Sequence, residues 1–239
     1  MRSGILKEVK AIFFDFDNTL VDSASIIGEV HRKTAEAIAH HLNSLGHAVS
    51  VDEIAALIKS VEERMEGSLI LDRDLYWPHV VEMLGASKIP AEIIAHWTEI
   101  YWLHYSRASV FADTIPTLTE LSRRYRLGMV ANTDGKPGLK RRRVEGSGLA
   151  GFFEVIIVAG DDVPEVKPDP RPFRAAADAL GVRPEESVMV GDHPRNDVEG
   201  AKKAGMKAVL VGRGEPNTPP HEVEPDLVIT TLSDLLLIV

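Results

Sequence analysis

The sequence predicts an α/β fold: a doubly wound parallel sheet, Rossmann-like, with an inserted α-helical domain. Three observations carry this. Short apolar runs at 11–14, 127–132, 155–159, 187–190, 208–211 and 227–230 recur between helical patterns, as in a parallel sheet with helical crossovers. The stretch 23–107 interrupts them with helical periodicity and no strand pattern. Acidic residues stand just past the ends of runs such as 11–14 and 187–190, where open parallel sheets place their sites.

In chain order, Ala11 to Phe14 reads as a buried strand, and Asp15-Phe16-Asp17 follows it. Residues i and i+2 of an extended chain share a face, so Asp15 and Asp17 point to one side and repel unless a cation relieves them. The insert then reads as four helices. Ser25 to Leu45 is closed by Gly46, and Asp52 opens a second that Gly67 ends. A third spans Asp74 to Leu84, and a fourth runs from Pro90 to Arg107. Beyond Asp113, helices are predicted at 116–125, 139–144, 172–180 and 197–204, each leading into a strand, with a short apolar helix at the C-terminus. The segment Gly212–Pro225 is Gly- and Pro-rich and reads as a surface loop.

Composition narrows the function classes. A net charge of −9 argues against nucleic-acid and anionic-membrane partners, which reward excess Lys and Arg. With no cysteine there is no disulfide framework and no thiolate metal site. No apolar run approaches a bilayer span, and the charged N-terminus does not resemble a secretory signal, so the expected location is cytoplasmic. The absence of Gln and Cys, with Asn at five positions, resembles a heat-adapted composition.

The chemistry collects at the strand ends. Besides Asp15 and Asp17, these carry Thr133 ahead of Asp134-Gly135, Lys167 ahead of Pro168, and Asp192 with Asp197. Three or four carboxylates in one cleft require positive charge. Hard oxygen ligands without a His or Cys cluster point to Mg²⁺, which binds beside phosphate oxygens. Lys167 adds a cation and Thr133 a donor, while N–H groups at a helix start make an anion cradle. The set suits a phosphoryl group.

These stretches, Asp15-Phe16-Asp17-Asn18-Thr19-Leu20, Asn132-Thr133-Asp134-Gly135, Lys167-Pro168 and Gly191-Asp192 with Asp197, resemble the four ordered motifs of the haloacid dehalogenase-like phosphohydrolases. The helical stretch resembles their small inserted cap. The resemblance implies a catalytic core at 1–22 and 108–239, a cap at 23–107, and a Mg²⁺-dependent phosphatase acting on a small phosphorylated metabolite through an aspartyl-phosphate. It makes Asp15 the nucleophile and Asp17 the acid and base, protonated in the first step with the help of neighbouring negative charge. Mg²⁺ would be held by the Asp15 carboxylate, the Asp17 carbonyl and Asp192, with Asp197 through water; Asn196 is the alternative to Asp197. Thr133 and Lys167 would hold phosphoryl oxygens, assisted by the N–H groups of Phe16 and Asp134. An Asp at 17 favours phosphate esters over halide displacement, which needs no acid. A sugar-phosphate mutase would share all four motifs, and a silent phosphate-binding protein could keep the scaffold. The chain is about twice as long as a phospho-accepting signalling module.

Other features read as ordinary structure. Seven of nine histidines lie in the insert, among them His40, His41 and His47, without ligand spacing, and suggest a solvated face. The run Lys140 to Arg143 reads as an exposed helix face. Trp97, Tyr101, Trp102 and Tyr105 read as packing, with pocket lining the alternative, and Trp77-Pro78 as a kink or helix start. His193 sits within the last motif, where contact with substrate or a metal-bound water is the alternative to a structural role.

Overall fold

The computed structural model describes residues 8–213 and 223–238. The chain forms two units by internal contact: Met1–Asp22, Ser109–Thr133 and Pro137–Val239 in one, and Ser23–Ala108 with Asp134–Lys136 in the other.

The first unit is built on a six-stranded parallel sheet. Its strands are β1 (Ala11–Phe14), β4 (Arg126–Asn132), β5 (Val155–Ala159), β6 (Ser187–Gly191), β7 (Lys207–Val211) and β8 (Leu227–Ile229), in the order β5-β4-β1-β6-β7-β8. All four residues of β1 are fully buried, as both faces of a central parallel strand require. Phe14 pairs in register with Met129 on one side and Val190 on the other. The order reverses around β1, so the carboxyl ends of β1, β4 and β6 meet at the switch point where such sheets bind ligands.

Helices α5 (Thr114–Leu121), α6 (Leu139–Gly146), α7 (Pro170–Ala179) and α8 (Gly200–Ala204) join these strands. On α7, Asp169 caps the first turn through Arg171 N–H and Pro170 stands at its first position. Its inner face sets Phe173, Ala176 and Ala177 against Phe13, Val130 and Met189, and burial of the Phe173 ring contributes about 2–3 kcal/mol.

Some boundaries differ from expectation. Helix α5 stops at Leu121, before Tyr125, and the apolar C-terminus is a 3₁₀ turn, Leu232–Leu237. The helix expected from Asp197 is instead a π-helical turn, Pro194–Glu199, running into α8. A two-residue ribbon, β2 (Val21–Asp22) against β3 (Ser109–Val110), is too short to leave a periodic signal. Much of the predicted loop Gly212–Pro225 lies outside the described residues.

The second unit contains α1 (Ile27–Ser44), α2 (Val51–Gly67), α3 (Tyr76–Met83) and α4 (Ala91–Tyr105). Ser50 caps α2 through Glu53 N–H, and Ile54, Ile58, Val61 and Met65 recur at helical spacing on its buried face. Trp77, Trp97 and Tyr101 fill the core, and Pro78 sits in the first turn of α3. The histidines are not one solvated face. His31 is buried with Nε2 2.5 Å from Glu62, and His41 packs edge-on to Trp97. Glu62 also accepts from Arg73 at 2.8 Å and Tyr101 at 2.5 Å. The segment Asp134–Lys136 belongs to this unit through Lys136, which pairs with Asp72 at 3.4 Å and with Asp74.

Candidate active site

Asp15 follows β1 directly, its N–H donating to Val190 O at 2.9 Å, so the strand pairing fixes where its carboxylate begins. Asp192 follows β6, and Asp197 is brought back by the π-helical turn. A Cβ on Gly191 would lie 2.3 Å from Asp197 Cγ, so only glycine lets that carboxylate fold beneath the strand end. Ligand oxygens of Asp15, Asp192 and Asp197 all lie within 4.8 Å of one another.

One buried ammonium answers them. Lys167 Nζ donates to Asp15 Oδ1 and Asp197 Oδ1, each at 2.6 Å, and to Val130 O at 2.9 Å. These contacts use its three hydrogens, so Lys167 stands here as a counter-ion, and holding a phosphoryl oxygen would require exchanging one of them. Burial works against its charge, but Asp15 and Asp197 raise its pKa. The carboxylates remain short of compensation. Burial, opposed by Lys167 and reinforced by Asp197 and Asp17, pushes Asp15 up to about 6. Burial and the charges of Asp15 and Asp197 likewise drive Asp192 well above the usual range. Three hard oxygen donors with one cation among them fit Mg²⁺ by charge and ligand type.

Asp17 corrects the expectation that negative neighbours keep it protonated. Its carboxylate meets Arg143 at 2.5 Å on Oδ1 and 3.2 Å on Oδ2, and Lys140 on Oδ2. Burial acts against the charge, yet Arg143 and Lys140 hold the group well below the usual carboxylate range. Neither residue is on an exposed face: both are buried, 5.4–5.8 Å from the Phe16 ring. They sit three apart on α6 and so share a helix side, while Arg142 between them is exposed. A basic run does not say which members turn inward.

Thr133 Oγ1 donates to Asp161 Oδ1 at 2.6 Å. Asp161 is absent from the sequence-derived set, although Gly160-Asp161-Asp162 stands at the end of β5, a position equivalent to the other acidic strand ends. Phe16 is buried, and its carbonyl accepts from Leu20 and Val21 N–H, closing the turn beyond Asp17. Asp134 is buried and grouped with the helical unit. Between the adjacent candidates, Asp197 is the residue bonded to Lys167; Asn196 N–H donates to His193 Nδ1 at 3.2 Å. His193 is thereby a cap of the turn, its Nδ1 also accepting from Arg195 N–H.

Comparison with known proteins shows the family. A family model described as haloacid dehalogenase-like hydrolase matches residues 9–205. The chain belongs to that family. It is similar to a phosphoserine phosphatase of Thermus thermophilus, 41% identical over 166 residues, covering 69% of this chain and 64% of that protein. A glyceraldehyde 3-phosphate phosphatase of Pyrococcus furiosus is 31% identical, with 97% of this chain and 93% of the relative covered. The crystal structure of a HAD phosphatase from Thermococcus onnurineus superimposes with a TM-score of 0.70 at 29% identity, covering 96% of this chain and 97% of that one. As a haloacid dehalogenase-like hydrolase, the chain carries its acids at the strand ends of a Rossmann-like sheet. Among the described residues, no helix is long and apolar enough to cross a membrane.

Proposed function

We propose that this hydrolase is a cytoplasmic, Mg²⁺-dependent phosphatase of small-molecule phosphate monoesters that works through an aspartyl-phosphate on Asp15. The observation that carries the reading is the cluster of Asp15, Asp192 and Asp197 around Lys167, with acids outnumbering cations. The phosphatase names of the relatives support it.

In this reading Asp15 attacks phosphorus, the bond to the alcohol oxygen breaks, and the phosphoryl group passes to the Asp15 carboxylate. Asp17 gives its proton to the departing oxygen. Water then attacks phosphorus, Asp17 takes the water's proton, and phosphate leaves with Asp15 regenerated. Lys140 and Arg143 hold Asp17 ionised in the free chain, which sets it for the second half; in the first half it protonates the departing oxygen only when the bound ester draws those cations from it. Asp15, Asp192, Asp197 and the Asp17 carbonyl would hold Mg²⁺, which when bound neutralises carboxylates and phosphoryl oxygens so that two anions can meet. Thr133 and the N–H groups of Phe16 and Asp134 hold the phosphoryl oxygens, with Lys167 balancing the nucleophile. Substrate selection falls to the helical stretch 23–107, acting as a cap.

The test is phosphate release from a panel of aryl and alkyl phosphate esters, with and without Mg²⁺. Wild type should turn over with Mg²⁺ alone, and Asp15→Asn should lose at least about a thousandfold while keeping its fold. Asp17→Asn should hurt alkyl esters more than aryl esters. No release across the panel, or full activity in Asp15→Asn, would overturn the reading.

A further inference from the structure

Thr133 is enclosed by the turn that follows β5. Its N–H donates to Ala159 O at 2.7 Å, and a Cβ on Gly160, whose φ is +94°, would lie 2.6 Å from Thr133 Cγ2. The turn therefore closes against the threonine methyl, and the hydroxyl donates to Asp161 Oδ1 at 2.6 Å. Asp161 is itself tied down. Its N–H donates to Val158 O at 3.0 Å, and its Oδ2 accepts from Gly138 N–H at 2.8 Å, where α6 begins.

A hydroxyl has one proton to donate, and a carboxylate offers only acceptors. The Thr133 proton is thus committed to Asp161. Phosphoryl oxygens are acceptors too, so Thr133 can hold one only by giving up a charge-assisted bond. From this we infer that Asp161 is a positioning residue that competes with the phosphoryl group for the Thr133 proton and so sets how tightly phosphate is held. The inference rests on the assignment of Thr133 to phosphoryl binding made above. A carboxylate in this place weakens the grip on substrate and product alike, and so favours product release.

Asp161→Asn separates this role from a structural one. An asparagine of the same shape can accept from Gly138 N–H through Oδ1 while its amide donates to Thr133 Oγ1, which frees the hydroxyl proton. It also removes a negative charge, so the same change is made in the Thr133→Val background, where only the charge effect remains. The readout is calorimetric binding of inorganic phosphate to the full chain with Mg²⁺, alongside KM and kcat for an alkyl phosphate. Asp161→Asn alone should tighten phosphate about tenfold and lower KM in parallel, but change affinity about twofold or less when combined with Thr133→Val. Equal effects in both backgrounds, no effect, weaker binding, or no phosphate binding by any of the proteins would overturn the inference. Absence of turnover in wild type with phosphate binding intact would strike the phosphatase reading alone.

Discussion

Each unit buries a cluster of charge, and the two are balanced differently. In the helical unit, Glu62 receives Arg73, His31 and Tyr101, and despite burial its carboxyl is held below the usual range. In the sheet unit, Asp15, Asp192 and Asp197 share Lys167, and Asp15 and Asp192 are pushed up. Burial acts in the same direction on both. What separates them is the supply of positive charge. A cluster that is complete holds a fold together, whereas one short of a cation is what the proposed Mg²⁺ would balance.

The contrast is broken most easily by removing a carboxylate from each. Glu62→Ala leaves Arg73 and His31 without their shared partner and should cost about 3–5 kcal/mol. Asp192→Asn removes one of the crowded acids, so in metal-free buffer it should cost nothing or stabilise by on the order of 1 kcal/mol. Urea unfolding without divalent ions measures both, and equal losses would erase the distinction.

A smaller effect sharpens it. Asp15 is raised from 3.8 to about 6 in the folded chain, so its contribution is fully present below pH 3.8 and is lost as pH rises through 6. Asp15→Asn abolishes that titration. The stability of the variant relative to wild type should therefore climb between pH 4 and pH 7 by on the order of 3 kcal/mol without Mg²⁺, and level off above. Asp17 titrates with the opposite sign and below this window. A difference that is flat with pH would show that Asp15 is not short of counter-charge.

The sheet and its inserted helices are legible in the sequence because buried strands and amphipathic helices leave periodic marks, as the run Ala11–Phe14 and the stripe Ile54, Ile58, Val61 and Met65 do. Asp15, Asp192 and Lys167 can be named from their places after strand ends. Lys140 and Arg143 cannot, because the helix phase that turns them toward Asp17 is set by packing around Phe16. The charge state of Asp17 is hidden for the same reason: acids are visible in a motif, whereas the cations that meet them come from more than a hundred residues away. Asp161 stands visibly past a strand end, but its bond to Thr133 is hidden, as is the Glu62 network, each depending on residues joined only in three dimensions.

The central claim is that the sheet unit's acids await a divalent cation, and calorimetric titration of the metal-free chain with Mg²⁺ tests it directly. Wild type should bind a single ion per chain, and Asp192→Asn should bind it about tenfold more weakly or worse. No heat of binding in wild type, or undiminished affinity in Asp192→Asn, would contradict it.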